Sequence, residues 1–397
     1  MSKTPFLSSE LQVKEERLWV NHSNQRLLIG FARASTLQER RVAITPEGVH
    51  QLTNLGHKII IESGLGDYAG YSDHRYSEAG AEITSDQRNI FSAPFIVKID
   101  PLNTTELELI HPNSTLLSAL QIKTQSRSYF EQLLSKKITA IALEFIEDDN
   151  GQLPFVESLG EISGQSAVLI AAELLSASNN GQGLLFGTIA GVPPVQTVVL
   201  GAQTTGVVAA KTALALGSRV ILYDNDLSKL RNARLQVGDH LHTETVSENA
   251  ISNSIKEADL VIGTMTGEKR APIVVTEEMV AQMKPGSIII DVSIDSGGCI
   301  ETSELTTHDK PVRSVYDVIH YGVPNIPSRY PKTSSIALNA LVVPYLLQIA
   351  TKGGIPEAIS QYTPLQSGIY AYRGYLTSSF VADWFPLPFR NLSLLTL

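Results

Sequence analysis

The sequence predicts an α/β protein of two domains, one inserted into a discontinuous other, and three observations carry that expectation. The chain has 397 residues, more than one core ordinarily organises. Short apolar runs alternate with helix-like segments along most of its length, the pattern of mainly parallel sheets. A last long helix, Ser334 to Ala350, follows the second set of alternations and is placed to return the chain to the first. The limits drawn are 1–165 for the first domain, 166–331 for the inserted one, and 332–397 for the return helix and a tail packing on the first.

The elements follow in order. Leu27 to Phe31, Lys58 to Ile61, Phe95 to Ile99, Thr115 to Leu120 and Thr139 to Phe145 read as strands. Pro46 to Leu55 reads as a helix, with Thr45 at its N-cap and Pro46 at its first position. After Pro154, apolar periodicity from about Glu161 to Ala177 predicts a helix leading out of the first domain, broken by Ser178 to Gly183. Asp259 to Gly263 and Gly286 to Asp291 are apolar runs suited to buried parallel strands. The return helix stops at Gly353-Gly354. Beyond it, Tyr370, Tyr372, Tyr375, Phe380, Trp384, Phe385 and Phe389 make the tail too aromatic for a disordered extension. It is expected to pack on the first domain or on a neighbouring subunit.

Composition narrows the class. Hydrophobic residues make up 43% and charged residues 18%, as in a globular protein. The net charge of −9 argues against nucleic-acid and anionic-membrane surfaces. One cysteine, Cys299, excludes an intrachain disulfide and a cysteine-based zinc site, and no metal is expected. The first twenty residues scatter their charges and contain no apolar core, unlike a signal peptide. No uncharged apolar run reaches the length of a bilayer span, so a cytoplasmic protein is expected.

The most informative stretch is residues 197–224. Thr197 to Leu200 is β-rich and enters the turn Gly201-Ala202-Gln203-Thr204-Thr205-Gly206. An alanine-rich helical stretch, Val207 to Leu216, stops at Gly217, and the strand Arg219 to Tyr223 ends on Asp224. This order is that of a Rossmann-type βαβ unit, which holds a dinucleotide's pyrophosphate at a helix N-terminus. Asp224, 18 residues past Gly206, is placed to accept hydrogen bonds from the adenosine ribose. Its carboxylate, with no Arg or Lys at 225–228, favours NAD over NADP, although Lys229 and Arg231 are close. Gln203 stands where the middle glycine is usual, and its side chain is expected to crowd the pyrophosphate.

In order along the chain, the motifs resemble the alanine dehydrogenase and transhydrogenase alpha-subunit family. Matching stretches include Arg41 to Val49 (RVAITPEGV), Glu62 to Gly66 (ESGLG), Gly191 to Pro194, Ala258 to Gly263, Asp291 to Cys299 (DVSIDSGGC) and Val323 to Pro327 (VPNIP). The likeness spans about residues 26 to 350 and lies nearer the alanine dehydrogenase branch; the last fifty residues match neither branch. The resemblance implies an NAD-dependent oxidoreductase interconverting a small L-amino acid, alanine by family, and its 2-oxo acid. It also implies a homo-oligomer, a dimer or a hexamer.

That chemistry needs a cation for the substrate carboxylate, a proton-transfer group for the amine and carbinolamine, and a nicotinamide facing Cα. Arg41 stands at the family's carboxylate-binding arginine, and a guanidinium fork suits a carboxylate. Lys98 ends an apolar strand, where it either binds carboxylate, acts as acid/base, or snorkels to solvent. Asp295 follows a buried strand, the place where open α/β sheets bind ligands, and by resemblance lies with Ile294 near the nicotinamide ribose. Asn325, held between two prolines, either donates its amide to substrate or nicotinamide or bonds its own turn. Cys299 reads as a packed residue rather than a nucleophile.

The departures fall in the same region. Asp100 stands where alanine dehydrogenases have a second lysine, and Gln121 where they have a histidine. Glutamine can hydrogen-bond a carbonyl but cannot shuttle a proton near neutral pH. Gly160 replaces a serine that lines the family's cofactor cleft. Three readings therefore stand: an amino-acid dehydrogenase using Lys98 and Asp295, a transhydrogenase-alpha-like unit that needs a membrane partner, and a non-catalytic NAD-binding protein.

Overall fold

The structure, a computed structural model, describes residues 25–36, 38–267 and 269–396. The N-terminal segment read for a signal peptide lies outside the described residues. Two sheets organise the rest. The first opens with β1 (Leu28–Phe31), β2 (Lys58–Glu62), β3 (Glu82–Thr84), β4 (Phe95–Val97), β5 (Thr115–Ser118) and β6 (Thr139–Ala142). The second is built from β7 (Gln196–Leu200), β8 (Arg219–Asp224), β9 (His242–Thr245), β10 (Leu260–Gly263), β11 (Ile288–Asp291), β12 (Val312–Val315) and β13 (Val318–Tyr321). The chain then returns to the first sheet as β14 (Ile369–Tyr372) and β15 (Tyr375–Leu376).

Strand order in the first sheet is β15-β14-β6-β5-β4-β1-β2-β3, parallel from β6 to β3, with β14 antiparallel against β6. In the second it is β12-β13-β11-β10-β7-β8-β9, parallel except for β12. Runs such as Ile288-Ile289-Ile290 are buried on both faces because helices cover both sides of each sheet. Strand order reverses at β7, so the crevice for a ligand opens beyond the carboxyl ends of β7 and β10.

The helix Pro154–Leu174 carries the chain out of the first sheet and starts earlier than its apolar periodicity indicated, because Pro154 fits a first helical turn. Gly160 and Gly164 let it press against the helix Thr204–Ala215: a side chain at 164 would overlap the Thr205 carbonyl oxygen, with no flexible group to yield. That second helix begins at Thr204, not Val207.

The helix Pro331–Thr351 brings the chain back. By length and composition it is apolar enough to cross a bilayer, although Ser334, Ser335, Asn339 and Gln348 interrupt its apolar run. Half of it is buried, and Leu338, Val342, Leu346 and Ile349 fill the core beside the first sheet. The aromatic tail closes that sheet's far side. Tyr370 is fully buried, with its ring against Phe130 and its hydroxyl 3.4 Å from that of Tyr129, while Phe385 packs on Phe130 at 4.9 Å.

Candidate functional site

The carboxyl ends of β1, β4, β5 and β6 face those of β7, β10 and β11 across a cleft, and the turns leaving these strands supply its polar groups. Two cavities occupy the region. One, of about 640 Å³, lies over the glycine turn and is walled by Gly201, Gln203, Asp224, Lys229, Thr264 and Thr266. The other, about 1120 Å³, lies between the sheets and is reached by Arg41, Gln121, Lys123, Glu144, Asp295 and Asn325.

The glycines at the ends of the turn are obligatory. Gly201 has φ +106°, and a Cβ at Gly206 would overlap the Gly201 carbonyl oxygen. Gln203 is different: its backbone, φ −86° and ψ 178°, is extended and accepts any residue. Its side chain leaves the turn sideways, and Nε2 donates to Thr266 Oγ1 at 2.8 Å. No side chain caps the helix that begins at Thr204, so its first N–H groups and positive dipole end remain available to an anion. Asp224 ends β8 largely buried; its Oδ2 accepts the Ala202 N–H at 2.7 Å and Oδ1 the Asp226 N–H at 2.9 Å. These groups fit a dinucleotide: an uncapped helix start behind a tight turn, with a carboxylate at the end of the next strand. Thr205 reaches back toward the exit helix, where a Cβ at Gly160 would lie 2.9 Å from its hydroxyl. A hydroxyl thus stands beside position 160 although the serine is gone.

On the other wall, Arg41 is locked by a residue the sequence reading overlooked. Glu39, also buried, accepts from Arg41 Nε at 2.8 Å and Nη2 at 2.6 Å, and from the Arg41 backbone N–H at 3.0 Å. Burial works to raise the Glu39 pKa, but the Arg41 charge and these hydrogen bonds overcome it and hold the carboxyl below its usual range. Asn325 Nδ2 donates to the same carboxylate at 2.8 Å, and the Asn325 N–H donates to Asp295 Oδ2 at 3.3 Å. One of the two amide N–H groups of Asn325 is thus engaged, and with its backbone N–H the residue ties Glu39 to Asp295. It does so from a left-handed backbone, φ +55°. Asp295 opens to the cleft at its surface yet is densely ringed by protein. Desolvation raises its pKa, against the Asn325 N–H and the charges of Arg41 and Lys123.

Lys98 does not reach this cleft. It has no solvent exposure, and its Nζ donates to Glu106 Oε2 at 2.8 Å and to the Pro101 carbonyl at 3.0 Å. Asp100 Oδ1 lies 3.1 Å from the same ammonium. Both expectations of a free Lys98, as ligand or as acid/base, are corrected by this pairing. The charge reversal at Asp100 gives a physical reason: a second buried carboxylate fixes the lysine inward. Asp100 itself is raised in pKa by burial, partly offset by Lys98 and by the Ser35 N–H, which donates at 2.9 Å.

Gln121 lies on the cleft wall at φ +46° and makes no side-chain hydrogen bond among the described residues. Its backbone N–H and that of Leu120 donate to Glu144 at 2.9 Å. Burial raises the Glu144 pKa despite those bonds. Glu144 and Lys123 are further cleft residues that sequence reasoning missed. Ile294 is buried behind Asp295. Cys299 is fully buried, its thiol pushed far up first by burial and then by the Asp291 charge, so it is not a nucleophile.

Comparison with known proteins gives the family and the fold. Residues 31–163 match the family model "Alanine dehydrogenase/PNT, N-terminal domain" and residues 167–379 match "Alanine dehydrogenase/PNT, C-terminal domain". The chain belongs to the alanine dehydrogenase/PNT family. The match reaches residue 379, so the family likeness extends beyond residue 350, where the sequence reading ended it. Alanine dehydrogenase 2 of Staphylococcus aureus (strain USA300) is 34% identical over 366 residues, 92% of this chain and 98% of that protein. Alanine dehydrogenase of Mycolicibacterium smegmatis is 36% identical over 367 residues, with the same coverage. A solved L-alanine dehydrogenase superposes with a TM-score of 0.84 at 33% identity, covering 91% of this chain and 99% of that one. The transhydrogenase from Sinorhizobium meliloti, at 22% identity and a TM-score of 0.75, shares the fold, covering 89% of this chain and 99% of that one. Within this family fold the Rossmann-type sheet is the second one, β7 to β13.

Proposed function

We propose that this family member is an NAD-dependent oxidoreductase that reversibly deaminates a small L-amino acid, alanine by family, to its 2-oxo acid. The observation that carries the reading is the chain Arg41–Glu39–Asn325–Asp295, which sets a cation and a carboxylate across one cleft beside the glycine turn. In this reading residues 1–165 and 332–397 hold the substrate, and 166–331 hold the nucleotide.

Glu39 occupies Arg41 Nε and one N–H of Nη2. The remaining guanidinium N–H groups are left for the substrate carboxylate, in a fork of fixed orientation. Asp295 accepts from the substrate amine and orients Cα. The uncapped helix start at Thr204 receives the pyrophosphate, and Asp224 the ribose hydroxyls. When bound, NAD supplies the hydride chemistry; the chain's own task is to hold the amino acid, exclude water and move protons.

Gln121, together with the sequestered Lys98, favours a second reading, a divergent or transhydrogenase-alpha-like protein that binds NAD(H) without turnover. One experiment separates the two: NADH absorbance followed with L-amino acids and NAD, and with 2-oxo acids, ammonium and NADH. Turnover that is lost in Arg41→Ala and Asp295→Asn, with NADH affinity kept, supports the dehydrogenase. NADH binding without turnover on any amino or oxo acid sinks it and leaves the second reading standing.

A further inference from the structure

The cleft holds one cation that neither the family motifs nor the reading above uses. Lys123 stands in a short 3-10 turn, Ile122–Thr124, that follows the left-handed Gln121. Glu144 fixes the start of that turn by accepting the Leu120 and Gln121 N–H groups, and Thr124 Oγ1 closes it by donating to the Gln121 carbonyl at 2.9 Å. The side chain so placed lines the cavity between the sheets together with Arg41 and Asp295. Among the described residues its ammonium makes no hydrogen bond and no ion pair, in contrast with the two carboxylates that hold Lys98. A built loop thus sets an exposed lysine, unpartnered among the described residues, on the wall of the space where the substrate would lie.

We infer that Lys123 is the proton-transfer residue of this cleft, doing from the loop after β5 what Gln121 cannot do from its own position. The assignment rests on the dehydrogenase reading. The chemistry balances as follows. Water adds to the iminium carbon, a C–O bond forms, and one water proton passes to the neutral Lys123 amine. The ammonium then gives that proton to the carbinolamine nitrogen, the C–N bond breaks, and ammonia leaves. The hydroxyl proton goes to Asp295 as the carbonyl forms, and from there to the departing ammonia. Before these steps the substrate ammonium gives one proton to solvent and the neutral amine then loses its Cα hydride, the only oxidation, to the NAD that the dehydrogenase reading supplies.

Electrostatics support the pairing. Partial burial lowers the Lys123 pKa although the residue stays largely exposed, while Asp295 pulls it back up. Burial raises that of Asp295, so the two groups are brought nearer each other in proton affinity than free side chains are. The other charged groups on the same cavity are Glu39, Arg41, Asp100 and Glu144. Of these, Glu39 is committed to Arg41, Asp100 to Lys98 and Ser35, and Glu144 to backbone N–H groups.

The test uses the full chain with L-alanine and NAD, and with pyruvate, ammonium and NADH. Lys123→Met is expected to lower kcat by about 10²–10⁴-fold, the range for losing one general acid/base, with NADH affinity and melting temperature unchanged. Lys123→Arg, charged but unable to give up its proton, is expected to keep KM and lose kcat, and added methylamine to restore part of the turnover of Lys123→Ala. The limb of the native pH–rate profile that this lysine sets is expected to vanish in Lys123→Met. An active native protein whose Lys123→Met variant keeps kcat within about threefold overturns the assignment alone. A native protein inactive on every amino and oxo acid overturns the dehydrogenase reading and the assignment with it.

Discussion

Replacing Glu39 by glutamine tests the carboxylate lock on Arg41. In the native protein Oε1 accepts from Arg41 N and Nε, and Oε2 from Arg41 Nη2 and Asn325 Nδ2, four donors on one carboxylate. Arg41 and Glu39 are 8% and 5% exposed, so water cannot substitute. Glutamine turns an NH2 toward two of those donors and leaves a guanidinium buried without its counter-charge. Breaking a buried pair from one side costs about 3–5 kcal/mol. At about 2–4 °C per kcal/mol for a domain of this size, Glu39→Gln should melt roughly 6–20 °C below the native protein. Removing both partners is far cheaper than removing one, so Glu39→Gln with Arg41→Met should recover much of the loss. The pH dependence has a definite sign. The Glu39 pKa is lowered in the folded state from an ordinary 4.5, so its stabilisation is complete above that value and is lost as pH falls through the lower folded one. The gap between native and Glu39→Gln should therefore stay flat from pH 8 to pH 5 and close in stronger acid. Scanning calorimetry across pH reads all of this. A double variant whose loss equals the sum of the two single losses refutes the reasoning.

Two further outcomes follow from the nucleotide side. Calorimetry should show NADH binding more tightly than NADPH, with Asp224→Ala narrowing the gap and weakening NADH as well, because the Ala202 N–H loses its acceptor; a native preference for NADPH would overturn the ribose assignment. Gly164→Ala should cost about 1–3 kcal/mol in a denaturant titration, because its Cβ meets the rigid Thr205 carbonyl and, at 3.0 Å, the Ala209 nitrogen. Gly160→Ala should cost less, since only the rotatable Thr205 hydroxyl lies in its way, and equal costs would count against this account of the helix contact.

The fold was largely legible because its central strands are continuous apolar runs, whereas the edge strands β3, β9 and β12 are short and polar and gave no such signal. Asp224 and the turn Gly201 to Gly206 follow from local order alone. What the sequence hid is long-range. The tail residues that become β14 and β15 lie more than two hundred residues from β6, and nothing local indicates which sheet edge they complete. Lys98 looked like a free strand-end lysine, yet Asn103-Thr104-Thr105-Glu106 spells a capping box whose glutamate also takes its ammonium. That signal was readable; its reach back to Lys98 was not. Glu39 sits two residues before Arg41 and was passed over because the motif seemed to begin at the arginine. Lys123 and Glu144 carry no motif: the turns after β5 and β6 meet where Glu144 accepts the Leu120 and Gln121 N–H groups, and Asp295 comes near Lys123 from the turn after β11.

The segment 38–45 is stitched along its length to the returning chain. Ser328 Oγ donates to the Gln38 carbonyl and accepts the Arg40 N–H, Ser335 Oγ accepts the Val42 N–H, and Asn339 Oδ1 accepts the Thr45 N–H, at 2.7–3.0 Å. Ser335 and Asn339 stand on the helix that packs on the first sheet, so most of this seam lies within one layer, and only Ser328 ties the segment to the chain leaving the second sheet. Asn325 and Glu39 add a side-chain tie between the same two stretches of chain. Because the Arg40 and Val42 N–H groups are both anchored to the returning chain, the direction in which Arg41 leaves the backbone is fixed by main-chain bonds as well as by its ion pair with Glu39.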